Sequence, residues 1–416
     1  MSITGRVVSG PAGLLARRPW LRVPGLLVAA FDGPSLGPHT LARTDPKWHF
    51  DANGVLQEAA DGEPGFGPDG LTIDPQRTND LDADEYRDFS EWQDQGASVS
   101  QDSVGIDGTS NSGTTFTDDD ADNAEYRQVI KTVSDDSAKR TSTFYLKNDG
   151  DTSIFPNVET NYTGGSSILE WVWINKDTGA GQEFSGRDSG EFEITSPATG
   201  WWRVAVTLAN NGSGNDKYTL RIRPASATVI GTLDNAATGS SVFDWVNFEE
   251  DDYGTRPIPG ATTRNADIVS GDMPSIFGSR AGVIAFDCTP FAAAMGTFFA
   301  YGSYVDADNY TAILHDGDDW IARRRVSGVN HDATIAHSYT PGTTDRIVGR
   351  FNDDHCAIFV NGTKGSDNAD TITLQRAAGY QVGADGNSGN VGSWSVQRFR
   401  KWDGARFITD ALAASM

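Results

Sequence analysis

The chain has 416 residues, 38% of them hydrophobic, and a formal net charge of -24. That length holds two or three ordinary domains, and an acid excess of that size sets the body against nucleic acid and anionic membranes as partners. Forty-six glycines and the lack of long amphipathic helical patterns favour an all-β chain with many turns.

Residues 1–48 are irregular, with Pro11, Pro19, Pro24, Pro34 and Pro38 as punctuation. Six basic residues stand there against two acidic ones. No stretch reaches the roughly 18 consecutive apolar residues of a membrane span, so no membrane insertion is expected. The seven apolar residues after Pro24 lack a clean cleavage site and do not read as a secretory signal. Apolar and basic residues alternate around Leu14–Leu27, and Arg17, Arg18, Trp20, Arg22, Leu26 and Leu27 are the expected docking residues of an anchor arm on an acidic partner surface. The other reading is an arm that wraps its own domain.

Residues 49–79 read as an extended linker. Asp51-Ala52-Asn53-Gly54 is a turn between Phe50 and Val55-Leu56, since Asn and Gly take positive φ cheaply. Glu63-Pro64-Gly65 and Gly67-Pro68-Asp69-Gly70 stop any helix. Leu71-Thr72-Ile73 is closed by Asp74-Pro75.

Residues 80–270 read as one β-sandwich. Period-two alternation marks strands at Glu125–Val133, Thr141–Lys147, Ile168–Ile174 and Ser241–Glu249. Trp201–Leu208 and Lys217–Pro224 are separated by Asn-Gly-Ser-Gly, which predicts a hairpin. Residues 271–416 read as a second sandwich. Its expected strands are Gly282–Asp287, Thr297–Tyr301, Tyr310–His315, Trp320–Arg324, Arg346–Phe351, His355–Gly362 and Val391–Arg400. Asn361-Gly362 predicts a type I′ turn, and Thr409–Leu412 a short closing helix. The expected fold is therefore all-β: two antiparallel jelly-roll or lectin-like sandwiches after an irregular N-terminal arm.

The run Gly70-Leu71-Thr72-Ile73-Asp74-Pro75-Gln76-Arg77-Thr78-Asn79, preceded by Asp51-Ala52-Asn53-Gly54-Val55-Leu56-Gln57-Glu58-Ala59-Ala60, resembles a cassette of tailed-phage head spike and fibre proteins. Asp88-Phe89-Ser90-Glu91-Trp92, Trp201-Trp202-Arg203-Val204 and the stretch from Val242 to Asp267 are similar to the entry, a strand and the close of the sandwich that follows it there. Gly65-Phe66 in place of Arg-Phe-Asp, and Asp80-Leu81 in place of leucines, depart from that pattern. The resemblance spans about half the chain, residues 42–270. It implies a carbohydrate-binding-module-like domain in a virion structural protein. Residues 271–416, with Val360-Asn361-Gly362 at a hairpin, are similar to the concanavalin/laminin-G type.

These likenesses imply a head spike or fibre on the virion surface, assembled in the host cytoplasm and anchored by its arm to other virion proteins. They further imply a homo-oligomer, with a trimer favoured, that contacts host-surface polysaccharide. The alternatives are a receptor-binding tail fibre or tail-tip protein, a polysaccharide depolymerase and, more remotely, a secreted bacterial lectin.

Sugar binding needs an aromatic platform beside polar groups. Tyr304, Asp306, Asp308, Tyr310 and Trp320 are the candidates, although their two turns flank one strand and fall near its opposite ends. The other reading is a pair of acidic hairpin turns with Trp320 in the core. Asp118–Asn123 offers hard oxygens without the glycine and terminal glutamate of a Ca²⁺ loop, so Ca²⁺ is left open and no other cofactor or metal is expected. Trp171 and Trp173 share a strand face, whereas Trp201 and Trp202 must point opposite ways. No HExxH or G-x-S-x-G pattern is present, and no catalysis is expected. Cys288 and Cys356 read as buried thiols, with a single bridge left open.

Overall fold

The computed structural model describes residues 26–28, 40–184, 190–272, 282–292, 297–374, 379–382 and 394–403. The fold is all-β, with antiparallel pairings throughout the sheets described below. Arg17, Arg18, Trp20, Arg22 and the expected helix at 409–412 lie outside the described residues.

Among the described residues the first sandwich pairs two six-stranded sheets. One runs in the order Glu191–Ala198, Trp201–Ala209, Lys139–Lys147, Gly239–Glu249, Gly113–Asp118, Ser98–Ser103. The other runs Gly181–Glu183, Ile168–Ile174, Asn157–Thr163, Lys217–Arg223, Tyr126–Thr132, Gln93–Gln95. Alternate residues of both sheets meet in a core that includes Phe116, Phe144, Val158, Val172, Val204, Ile222 and Phe243. Each such side chain contributes about 1.5–3 kcal/mol by leaving water.

Trp201–Ala209 and Lys217–Arg223 do not form the expected hairpin. They belong to opposite sheets, and Asn210–Asp216 arches across the core between them. Asn210 explains the arch: its Nδ2 donates to Ser134 O and Asn215 O, binding it to the neighbouring crossing at 134–138. A turn motif sets local geometry but not which sheet each flank joins.

Among the described residues the second sandwich faces an eight-stranded sheet against a seven-stranded one. The first holds Thr363–Asn368, Cys356–Val360, Asp345–Phe351, Gly282–Pro290 and Trp394–Asp403. Beyond Trp394–Asp403 come three earlier strands: Gly70–Ile73 pairs with residues 394–396 and on its other side with Phe66–Gly67, and Leu26–Val28 pairs with residues 400–402. The facing sheet holds Thr40–Ala42, Ile268–Asp272, Gly379–Val382, Phe298–Asp306, Asn309–His315, Asp319–Val326 and Val329–Ala336. The core includes Leu71, Ile73, Ile284, Phe286, Phe298, Ile313, Trp320 and Ile358. Asn361 (φ 51°) and Gly362 (φ 82°) make the I′ turn that returns Val360 against Thr363.

The second sandwich is thus built from chain on both sides of the first. The cassette and part of the arm supply its strands. Leu71 and Ile73 are apolar on a short strand and find burial only by joining an existing sheet. Both cysteines are free and buried, and burial raises the Cys356 thiol to about 11.

The joint between the sandwiches gives the cassette residues their roles. Asp74 and Asp267 sit fully buried among cations. Lys47 Nζ meets Asp74 at 2.8 Å and also Asp267. Arg43 reaches Asp267 at 2.8 Å, and Arg256 reaches Asp74 at 2.7 Å. Burial lowers the Lys47 pKa, and against the same burial the surrounding cations hold Asp74 well below the usual carboxylate range. Asn79 pins the cassette to the first sandwich: its Nδ2 donates to Val246 O and Ile258 O, and its Oδ1 accepts from Leu81 N and Phe248 N. Phe291, at the end of a second-sandwich strand, lies between two buried guanidiniums of the first, Arg203 at 4.8 Å and Arg256 at 4.4 Å.

Trp245 sits at φ 49°, where the register of Gly239–Glu249 slips against Tyr145. The bulge swings its ring out of the sandwich core to meet Trp48 at 4.8 Å and Tyr86 at 5.0 Å. A left-handed backbone at a bulky residue is costly and persists only where the surroundings fix it; here a wholly buried ring does so.

Candidate ligand-binding face

The residues expected to bind sugar do not converge. Tyr304 and Tyr310 pair across a hairpin with ring centres 5.1 Å apart. They cover Phe299, Leu314 and Ile321 on the outer face of the seven-stranded sheet. Asp306 spends one carboxylate oxygen on Asp308 N and both on Asn309 Nδ2, which lowers its pKa. Asp308 lies 3.7 Å from Arg325. Trp320 stands at the other end of the hairpin strand, 0% exposed, packed against Phe286, Phe298 and His315. It presents no face to a ligand, so the five residues make no single platform. The turn after His315 is structural too: Gly317 N donates to its Nδ1, and its Nε2 pairs with His337 O.

The acidic loop after Asp118 closes on itself. Asp118 accepts from Asp120 N and Glu125 N, and burial nonetheless raises its pKa to about 6. Among the described residues no group of three or more His, Cys, Asp or Glu side chains is arranged to hold a metal ion. Leu26 and Leu27 lie in a strand against Trp402 and Lys401.

A different face gathers polar and aromatic groups. It is the outer side of the Asn157–Thr163 sheet. Period-two alternation turns Val158 and Tyr162 into the core and Asn157, Glu159 and Asn161 outward. Across the strands the register aligns Gln93, Gln128, Arg221, Glu159 and Trp171 in one row. The next row places Arg223, Asn157 and Trp173 side by side, with Tyr126 beyond Arg223.

This face is held together by charge-assisted bonds. Arg221 Nη1 donates to Glu159 Oε1 at 2.5 Å, and its Nε and Nη2 donate to Gln128 Oε1. Arg223 Nη1 donates to Glu159 Oε2 at 2.9 Å and to Asn157 Oδ1 at 3.1 Å. The Tyr126 ring lies 4.5 Å from the Arg221 guanidinium and 5.1 Å from that of Arg223, and Trp171 is 4.9 Å from Arg223 on its other flank. Tyr126, Trp171 and Arg221 are half-buried. At one edge Trp171 and Trp173 pack with Phe155, Phe184 and Ile230. The adjoining loop exposes Val229 (64%) and Leu233 (38%).

Chemically the face combines two rings that can stack on a flat apolar ligand surface with fixed donors and acceptors between them. Alternation at Ile168–Ile174 already set Trp171 and Trp173 on one face. Asn157–Thr163 escaped notice because its inward set is Val, Thr and Tyr. The readable signal was the polar alternation Asn-x-Glu-x-Asn set against it.

A cleft of about 420 Å³ also opens at the joint, lined in part by Asp69, Thr195, Arg256, Thr289 and Phe291. Its guanidinium is committed to Asp74 and to the Phe291 ring.

No family model and no curated protein matches the sequence. Solved structures with some likeness include a heptameric SAP-like pentraxin from Limulus polyphemus, 16% identical, covering 33% of this chain and 69% of that one, with a TM-score of 0.26. The IT-sialidase CBM40 of Ruminococcus gnavus, bound to α2,3-sialyllactose, is 8% identical over 34% of this chain and 84% of that one, with a TM-score of 0.28. Domain 4 of an extracellular arabinanase from Geobacillus stearothermophilus, in complex with arabinotriose, is 10% identical over 36% of this chain and 72% of that one, with a TM-score of 0.29. The likenesses are too slight to carry an argument about this chain's ligand.

Proposed function

We propose that the protein is a non-catalytic adhesin that holds polysaccharide on the Tyr126–Trp171 face, as a head spike or fibre on the surface of a tailed-phage virion. The observation that carries the binding role is the row of Gln128, Arg221, Glu159 and Trp171 with Tyr126 beside it: fixed hydrogen-bonding groups between two half-buried rings. The virion assignment rests on the resemblance of the Gly70–Asn79 cassette. In that setting residues preceding Leu26 dock on other virion proteins. A trimer would multiply weak sugar contacts through linked sites.

Affinity electrophoresis of the full chain through gels containing bacterial surface polysaccharides tests the binding role. Trp171→Ala and Tyr126→Ala are each expected to weaken retardation about tenfold, given the roughly 1–3 kcal/mol attached to a stacked ring. Wild-type mobility unchanged in every gel refutes the role. Immunolabelling of intact virions tests the location. Label on the head supports the spike, label confined to the tail tip replaces it with a receptor-binding tail fibre, and no label on particles removes the virion assignment.

A further inference from the structure

We infer that the ligand of this face is an acidic glycan, whose carboxylate is taken by the Arg223 guanidinium between Tyr126 and Trp171; this rests on the glycan-binding reading above. Two guanidiniums share one carboxylate here, because both Arg221 and Arg223 bind Glu159. Glu159 already accepts three hydrogen bonds, since Asn161 Nδ2 also donates to its Oε1. The face therefore carries an unbalanced positive charge in a chain of net charge -24.

Arg223 keeps donors that the protein does not use. Arg223 is 7% exposed, and among the described residues only its Nη1 has acceptors, which leaves Nε and Nη2 without any. Asn157 is 1% exposed; its Oδ1 is used by Arg223, while its Nδ2 is buried without a partner. Neither that group nor Trp173 Nε1, buried among Phe155, Phe184 and Ile230, is open to a ligand, which leaves Arg223 as the reachable cation of the row. A neutral sugar hydroxyl serves the free guanidinium donors of Arg223 less well than an anion does. Burial also lowers the Arg223 pKa, so an incoming negative charge stabilises the form that burial opposes. The planar fork of a guanidinium suits a carboxylate. The body's net charge repels polyanions at large, so binding one requires a local site.

The test is isothermal titration of the full chain with oligosaccharides of polygalacturonate, alginate and hyaluronan, each beside its carboxyl-reduced neutral counterpart, and with dextran sulfate. The inference expects at least one uronate to bind ten times or more tighter than its reduced form, with Arg223→Gln erasing that preference while Trp171→Ala weakens both forms. Dextran sulfate matching the best uronate shows that the site takes sulfate as readily and overturns the carboxylate assignment. Neutral forms binding as tightly as uronates, with loss in Trp171→Ala, overturn the inference and leave the glycan-binding reading standing. No binding of any probe overturns the inference, and the affinity gels then decide the glycan-binding reading separately. The wild-type comparison of charged and reduced ligands decides the matter even if Arg223→Gln fails to fold.

Discussion

Replacing Asp267 with asparagine should destabilise the joint far more than the loss of one surface charge would. Asp267 is almost wholly buried, as are its partners Lys47 and Arg43. It also accepts from Asp74 N at 2.9 Å. The substitution keeps the shape but leaves two buried cations with one fewer counter-charge, and removing one partner of a buried pair costs about 3–5 kcal/mol. Lys47 keeps Asp74 and Thr72 O at 2.9 Å, which argues for the lower half of that range. Replacing Lys47 with methionine as well removes the stranded charge. The double variant should then lie closer to wild type than the sum of the single changes, by roughly 2 kcal/mol, within the span seen for contacting residues. Guanidinium unfolding followed by tryptophan fluorescence at neutral pH measures the cycle. Single changes that add to within about 0.5 kcal/mol would refute the idea that these groups act as one cluster.

Burial, together with the charges of Lys47 and Arg256, lowers the His49 pKa to about 4, so its ring stays neutral while the unfolded chain protonates near 6.5. The unfolded state then binds more protons between those values, and stability falls as pH drops from 6.5 to 4, by up to about 3 kcal/mol. Asp118, raised to about 6, pulls the other way, so the effect is read as the difference between wild type and His49→Gln in unfolding midpoints across that window; parallel curves would sink it. Phe291→Ala removes a half-buried ring and two cation–π contacts, for about 2–3 kcal/mol, and should split thermal unfolding into two calorimetric transitions. One transition at the wild-type temperature would contradict that. Asn79→Ala strands two carbonyls and two amides at once and should cost at least about 3 kcal/mol; hydrogen exchange at Phe248 N and Leu81 N, unchanged from wild type, would count against the pin.

Much of the architecture could be read from period-two alternation. Ile168–Ile174 matched residue for residue, because apolar Leu, Val and Trp neighbours left no helical alternative. The Asn361-Gly362 turn was equally plain, since positive φ at both positions is a local demand. What failed was non-local. Whether the flanks of Asn210–Asp216 pair with each other or with distant strands depends on partners more than 50 residues away, such as Lys139–Lys147 for one and Asn157–Thr163 for the other. Gly70–Ile73 looked like connector because four residues carry no period, yet Leu71 lies against Val396. Trp320 was placed among ligand-facing residues by its acidic neighbours; alternation from Ala322, which faces the same core, puts it inside. The Tyr126–Trp171 face was half legible, in its tryptophans, and otherwise hidden in strands whose inward residues are too polar to stand out.

The nested order of the two sandwiches has a consequence for synthesis. Ile73 leaves the ribosome long before Trp394, its strand partner. At about 5–20 residues per second the wait is roughly 15–60 s. The inner sandwich is completed during that interval, while Gly70–Ile73 remains an apolar strand with one open edge, a template for wrong pairing. Anchored through Asn79 to an already folded neighbour, that strand is held in place rather than left to wander. The inner domain thus acts as a scaffold on which the outer one is later closed, and a nascent chain released between the two events would be the species most prone to aggregate.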